Sequence, residues 1–224
     1  MLKIENFKVL GWEHAIRGMR NPMNSWEKSD SGWEPQFDTV QGPVAGEFII
    51  GPNDYTLMKN LRNAGTDHRK FMRMITVYLD ITAPLYWWKE FDTYKVGTVA
   101  NSCSTMHKIA EKEFTLEDFS TEHLTVESIT FGLEPVIDIL NKNRELYVHW
   151  KNAGKEKKKF WWQMIQLLPS SYNQKRTVML NYEVLANIYK SRRNHKLDEW
   201  HTLCDWIEEL PYSELITGKE YDVE

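Results

Sequence analysis

The chain has 224 residues and a formal net charge of -4, with 42% hydrophobic and 27% charged residues. This balance is ordinary for a soluble globular protein, and the length fits a single domain over residues 1–224. The negative charge argues against a nucleic-acid binder, and no stretch reaches the ~18 apolar residues of a membrane span. Cys103 and Cys204 lie far apart and form no metal-type cluster, so we expect a reduced cytoplasmic protein without a metal site.

The first half of the chain predicts two strands and two helices around a long loop. Residues 1–10 alternate loosely and predict a short edge strand. Residues 21–46 are rich in Gly, Pro, Ser and Asn, with two Trp, and predict a long ordered loop, which is usually functional or part of an interface. A helix is expected from Pro52. The alternation over residues 71–81 predicts a strand, which Ala83-Pro84 ends before a second helix.

The second half is mainly helical. The small and polar residues 97–107 predict an extended loop. Apolar residues at helical spacing and a short alternating run predict four further helices and one more strand. The helices are expected at about residues 133–150, 157–168, 182–190 and 197–210, and the strand at 177–180. The order of elements, without an internal repeat or linker, indicates one α+β domain.

Two separated segments carry ordered motifs. From Asp54 to Thr105 the order is a helix, a Gly, His68, a strand, Ala-Pro, a Trp-rich helix and the triplet Asp92-Thr93-Tyr94, with Ser102 after a seven-residue interval. The second segment begins at a Leu-Pro pair and continues with a short strand, two Asn and an Arg. Its marker residues are Leu168, Pro169, Asn181, Asn187 and Arg192.

In order and spacing, these segments resemble the flavin-dependent thymidylate synthases over somewhat less than half of the chain. The resemblance implies a twisted mixed or antiparallel sheet flanked by helices. It also implies a homotetramer that binds FAD between subunits and a pyrimidine nucleotide, dUMP in that family, beside it. The positions that match cofactor-binding residues are His68, Lys89, Asn181 and Asn187. Those that match substrate-binding residues are Ser102, Lys175 and Arg192.

The chain departs from the family at its most characteristic positions. Asp92 and Tyr94 stand where the family has arginines that hold flavin and nucleotide, and Lys89 replaces a flavin-contacting Gln. A carboxylate cannot replace a guanidinium that pairs with anionic groups. With Trp88, these residues predict an acidic and aromatic flavin end. We therefore expect altered or lost methylation chemistry, and the sequence assigns no catalytic residue.

Each candidate residue also has a structural interpretation. Ser102 can belong to a turn, His68 can be a surface histidine, and the two Asn can cap helices. Lys175 and Arg192 can be surface charges. The chain is accordingly either a divergent flavin- or nucleotide-binding protein, or a non-enzymatic nucleotide-binding or interaction scaffold. The Trp-containing segment 21–46 favours the scaffold if it fills the ancestral cavity.

Overall fold

The computed structural model describes residues 2–38, 42–150 and 155–219. The contacts of the chain divide into two compact units. Unit 1 comprises residues 1–5, 80–93 and 100–178, and unit 2 comprises residues 6–79, 94–99 and 179–224. The chain passes between the units several times, so each unit is built from three separate segments.

The described residues form six strands and ten α-helical segments. The strands are β1 (Lys3–Leu10), β2 (Gly32–Asp38), β3 (Gly42–Ile49), β4 (Thr76–Pro84), β5 (Val99–Ser102) and β6 (Asn173–Asn181). The helices are α1 (Trp12–Arg20), α2 (Pro52–Asn63), α3 (Leu85–Phe91), α4 (Thr105–Lys108), α5 (Val126–Ser128), α6 (Glu134–His149), α7 (Lys155–Leu167), α8 (Tyr182–Arg192), α9 (Asp198–Glu208) and α10 (Glu214–Thr217). Within the described ranges, no helix is long and apolar enough to cross a membrane.

The strands form two sheets. One has four strands in the order β1-β4-β6-β5, which places β1 at an edge, as the sequence predicted. The other is an antiparallel pair of β2 and β3, in which Trp33 lies opposite Phe48. Helices and sheet are thus combined in an α+β architecture, which confirms the predicted fold class.

Each unit has its own apolar core. In unit 1, Phe114, Phe119, Leu140 and Met164 form a buried cluster between α6, α7 and the segment that precedes them. In unit 2, the buried residues include Ile75, Val77, Tyr182, Ile188, Trp200 and Cys204. The inward face that the sequence predicted for the last helix is confirmed, because Trp200, Leu203, Cys204 and Ile207 are all buried.

The structure corrects three predictions of secondary structure. Residues 97–107 contain β5 and most of α4, and Arg69–Met74 is a 3-10 helix, so β4 begins only at Thr76. The predicted loop 21–46 contains most of the β2–β3 hairpin, although residues 39–41 lie outside the described residues. The glycines there permit close strand pairing: a Cβ on Gly46 would lie 1.8 Å from the Glu34 carbonyl oxygen.

A buried ion pair fixes the remainder of this segment. Arg20 donates its Nε to the Asp54 carboxylate at 2.6 Å, and its other nitrogens donate to the carbonyl oxygens of Ser25 and Lys28. The second carboxylate oxygen of Asp54 accepts hydrogen bonds from the hydroxyls of Ser29 and Ser31. The network leaves neither charge uncompensated, which is the condition for burying an ion pair.

Candidate functional site

A cavity of about 440 Å³ lies in unit 1 beside the start of β6, and we call it the lysine-rich cavity. Its lining residues are Cys103, Ser104, Thr105, Lys108, Ile109, Glu111, Lys112, Phe114, Tyr172, Asn173, Gln174 and Lys175. Three lysines and one glutamate line it, and the carboxylates of Glu5, Asp80 and Asp118 lie beside two of the lysines. The lysines are the lining groups that could donate hydrogen bonds to an anionic ligand.

Strand β6 holds one wall of this cavity through backbone and amide contacts. The backbone N–H of Cys103 donates to the Lys175 carbonyl oxygen at 2.9 Å. Gln174 Nε2 donates to the Cys103 carbonyl oxygen at 3.1 Å and to the Thr105 hydroxyl at 2.9 Å. The turn that follows Ser102 is therefore anchored to the strand that carries Lys175.

Two aromatic rings and an amide form another part of the lining. The rings of Phe114 and Tyr172 meet edge to face, with centroids 6.2 Å apart. Burial raises the pKa of Tyr172, so its hydroxyl remains protonated at neutral pH. Asn173 accepts a hydrogen bond from the Ser120 hydroxyl at 2.9 Å, which orients its amide. A flat polar ring could stack and hydrogen-bond here.

Each lysine of the cavity also has a carboxylate partner. Lys108 pairs with Glu111, and Lys112 pairs with Asp118. Lys175 lies 3.3 Å from Glu5 and 3.4 Å from Asp80. Hydrogen bonds to these carboxylates raise the pKa of Lys112 and of Lys175, so both carry a positive charge at neutral pH.

Of the three predicted substrate residues, only Lys175 lines the cavity. Ser102 is exposed at the end of β5, directly before the anchored turn, and Lys175 lines the cavity. Arg192 belongs to unit 2, where it ends α8. Its Nε donates to the Tyr94 hydroxyl at 2.9 Å, and its guanidinium lies 4.7 Å from the centre of the Trp200 ring.

The predicted cofactor residues have different environments. Asn181 is the N-cap of α8, because its side-chain oxygen accepts the Val184 N–H at 3.0 Å. Its amide nitrogen packs against Gly97, where a Cβ would lie only 3.0 Å away. The oxygen of this amide therefore serves the fold as a helix cap. Lys89 is exposed on α3, in unit 1.

His68 and Asn187 are exposed in unit 2, on elements that are joined by an ion pair. Arg69, which follows His68, lies 2.8 Å from Glu183, one turn before Asn187 on α8. Of the four predicted cofactor residues, these two combine exposure with a common structural support.

The prediction of an acidic and aromatic flavin end is wrong. Arg176 Nη1 donates to the Asp92 carboxylate at 2.8 Å, and its guanidinium lies 4.2 Å from the centre of the Trp88 ring. Tyr94 accepts the hydrogen bond from Arg192 described above. Asp92 and Tyr94 thus each have an arginine partner from β6 or α8, and Trp88 is buried.

Sequence reasoning missed several residues of this region. Lys108 and Lys112 were overlooked, although their four-residue spacing near Cys103 is visible in the sequence. Arg176 was overlooked as well, because nothing in the sequence shows that it faces Asp92. Only the position of β6 in the sheet reveals that contact.

No family model matches the chain, and no curated protein matches it either. Solved structures do match. Thymidylate Synthase X (ThyX) from Helicobacter pylori, determined with FAD and dUMP, is similar with a TM-score of 0.62 and 15% identity, over 97% of both chains. The UMP/dUMP methylase PolB from Streptomyces cacaoi, bound with 5-Br UMP, is similar with a TM-score of 0.56 and 12% identity, over 97% of this chain and 94% of that one.

These similarities define the class: the chain has the fold of the flavin-dependent thymidylate synthases. The fold resemblance predicted from two segments thus extends over nearly the whole chain. At this level of identity the similarity concerns the fold, and function has to be argued from the site.

Proposed function

We propose that this protein binds a pyrimidine nucleoside monophosphate in the lysine-rich cavity. The observation that carries the proposal is the turn from Cys103 to Thr105, which lines the cavity and is hydrogen-bonded to the strand that carries Lys175. The structural neighbours were solved with dUMP or 5-Br UMP, which supports a pyrimidine ligand.

The phosphate end of the proposed ligand would meet the lysines. The Lys108–Glu111 pair is exposed on both sides, with side-chain exposures of 65% and 60%. Exposed pairs contribute about 1 kcal/mol at most, so a phosphate dianion can draw Lys108 away at little cost. Hydrogen bonds to charged groups contribute about 1.5–3 kcal/mol, which favours this exchange. Ser102 precedes the turn that lines the cavity and is itself not part of the lining.

The base would occupy the aromatic part of the cavity. Tyr172 supplies a ring and a protonated hydroxyl, and the Asn173 amide supplies donor and acceptor groups. A pyrimidine base has flat faces and a polar edge, which these groups complement.

We further propose that the ordinary methylation chemistry is altered or lost. Asp92 and Tyr94 are paired with Arg176 and Arg192, and neither can contribute a guanidinium to a ligand. FAD is proposed as a second ligand because the neighbouring ThyX structure contains it. His68 and Asn187 are the residues that would contact it, with Lys89 as a further candidate, whereas Asn181 is occupied as a helix cap. Bound flavin would supply redox chemistry, and a yellow purified protein with flavin absorbance would reveal it.

The pairing of Lys175 favours the second candidate function. Glu5 and Asp80 already compensate its charge without a ligand, as expected of a scaffold that has kept the fold and lost the nucleotide. In either case we propose a homotetramer, as the resemblance to this family implies, and a cytoplasmic location, as the two separated cysteines suggested. Light scattering of the purified protein would give its mass.

Thermal unfolding with added ligand distinguishes the two functions. A ligand that binds only the folded state raises Tm. We expect dUMP to raise Tm, and deoxyuridine, which lacks the phosphate, to raise it much less. If neither compound changes Tm at concentrations well above those of cellular nucleotides, the scaffold function replaces the nucleotide-binding one.

A further inference from the structure

The side-chain amide of Gln174 joins three parts of unit 1 by hydrogen bonds. Its Nε2 donates to the Cys103 carbonyl oxygen at 3.1 Å and to the Thr105 hydroxyl at 2.9 Å. Its Oε1 accepts a hydrogen bond from Arg176 Nε at 3.0 Å. Both protons of the amide nitrogen are thus used, together with one lone pair of the oxygen. Although Gln174 lines the lysine-rich cavity, its amide has little capacity left for a ligand.

The partners of this amide allow only one orientation. A guanidinium can only donate hydrogen bonds, and a carbonyl oxygen can only accept them. If the amide were reversed, its nitrogen would face Arg176 and its oxygen would face the Cys103 carbonyl, and both contacts would be repulsive. Arg176 and Cys103 together therefore fix the direction in which Gln174 donates.

Arg176 is itself held on two sides. Its Nη1 donates to the Asp92 carboxylate at 2.8 Å, and its guanidinium lies 4.2 Å from the centre of the Trp88 ring. The same indole donates its Nε1 to the Gln174 backbone carbonyl oxygen at 2.9 Å. Asp92, Trp88 and Arg176 do not line the lysine-rich cavity, so they can act on it only through Gln174.

The part of the cavity that Gln174 holds is the start of α4. This helix has only four residues, Thr105–Lys108, and a single helical turn is not stable alone. Contacts from outside must hold it in place. Gln174 binds its first residue, and Trp161 donates its Nε1 to the Met106 carbonyl oxygen at 2.9 Å. The last residue of α4 is Lys108, which lines the cavity, so its placement depends on these contacts.

We propose that Gln174 is a positioning residue of the lysine-rich cavity, oriented by the Asp92–Arg176 pair. It fixes the turn before α4 and thereby places Lys108 for the ligand phosphate, a consequence that rests on the proposed function. Asp92, which departs from the family pattern, thus acts on the cavity through Arg176 and Gln174 without touching a ligand.

Hydrogen exchange of the backbone amides tests the positioning without any nucleotide. Gln174→Met removes all three hydrogen bonds of the side chain. Gln174→Glu keeps its size and its acceptor for Arg176 but loses both donors. We expect residues 103–109 to exchange roughly tenfold faster in both variants, whereas α8 and α9 keep the wild-type rates.

Gln166→Met is the matched control, because Gln166 is an exposed residue of α7 in unit 1 that does not line the cavity. It should leave all exchange rates unchanged. Unchanged exchange of residues 103–109 in both Gln174 variants would overturn the proposal. An equal increase throughout the protein would also overturn it, since Gln174 would then have a general structural role.

Arg176→Met tests the contribution of the ion pair. It removes the donor that orients the amide and keeps an apolar stem against Trp88. Exchange of residues 103–109 should again be faster than in the wild type, by a smaller factor than in Gln174→Met. Wild-type exchange rates in this variant would overturn the role assigned to Asp92 and Arg176.

Calorimetry with dUMP shows whether Gln174 acts through Lys108. Lys108→Ala should raise the Kd roughly tenfold in the wild type and much less in Gln174→Met, in which Lys108 is already displaced. Equal factors in the two backgrounds would overturn the proposal. Faster exchange at residues 103–109 in the Gln174 variants, together with no dUMP binding by the wild type, would contradict the proposed function and support the positioning of the turn.

Discussion

The guanidinium of Arg176 contacts both Asp92 and Trp88. Its Nη1 donates a hydrogen bond to the Asp92 carboxylate at 2.8 Å, and its central carbon lies 4.2 Å from the centre of the Trp88 ring. The Nε of Arg176 donates a further hydrogen bond to the side-chain oxygen of Gln174 at 3.0 Å. An acidic residue that looked unpaired in the sequence is therefore part of an ordered cluster in unit 1.

This contact predicts a modest coupling energy between Asp92 and Arg176. The Asp92 side chain is 44% exposed, so solvent screens the pair, and we expect a coupling of about 0.5–1 kcal/mol. A double-mutant cycle of Asp92→Ala and Arg176→Ala, measured by urea unfolding, gives this value. A coupling indistinguishable from zero would contradict the prediction and mean that the contact does not contribute to stability.

A much larger effect is expected at Asp54. Its carboxylate is fully buried, and Asp54→Ala would leave the charge of Arg20, only 5% exposed, without a counterion. Breaking a buried pair in this way costs about 3–5 kcal/mol. The free energy of unfolding should fall by that amount in Asp54→Ala. It should change little in Asp67→Ala, an exposed control; similar losses in both variants would contradict the network.

The same carboxylate predicts a dependence of stability on pH. Burial alone would raise the pKa of Asp54, but hydrogen bonds from Ser29, Ser31 and Arg20 lower it overall below its usual value of 3.8. A group whose pKa is lowered in the folded state stabilises the protein above its unfolded pKa and loses that contribution as pH falls through the folded pKa. The stability difference between wild type and Asp54→Asn should therefore shrink below about pH 4. A difference that stays constant down to pH 2 would show that the carboxylate is not the source.

The sequence predicted the α+β class, the edge position of β1 and most helix positions, because these depend on local periodicity and on Pro and Gly signals. The prediction of a loop over residues 21–46 failed, because glycines are typical of loops but here allow strands β2 and β3 to pair closely. The partners of Asp92 and Lys175 could not be predicted, because they come from strands far away in the chain. Asn181 illustrates the remaining ambiguity: a capping Asn and a ligand-binding Asn have the same local sequence.

The different exposure of the two cysteines provides a chemical test of ligand binding in the lysine-rich cavity. Cys103 is exposed and lines that cavity, whereas Cys204 is buried and burial raises its pKa to about 11. Since the thiolate is the reactive form, a thiol reagent should modify one cysteine in the folded protein and two after unfolding. Under the proposed function, dUMP slows the modification of Cys103. An unchanged rate at saturating dUMP would place the nucleotide elsewhere.

The most direct test of nucleotide binding is a calorimetric titration with dUMP of the wild type, Lys108→Ala and the control Lys159→Ala, an exposed lysine on α7 in the same unit that does not line the cavity. Loss of one lysine contact to phosphate removes about 1.5 kcal/mol, which corresponds to a roughly tenfold higher Kd. The account predicts this increase for Lys108→Ala and an unchanged Kd for Lys159→Ala. The same Kd in all three proteins, or no binding by the wild type, would contradict it.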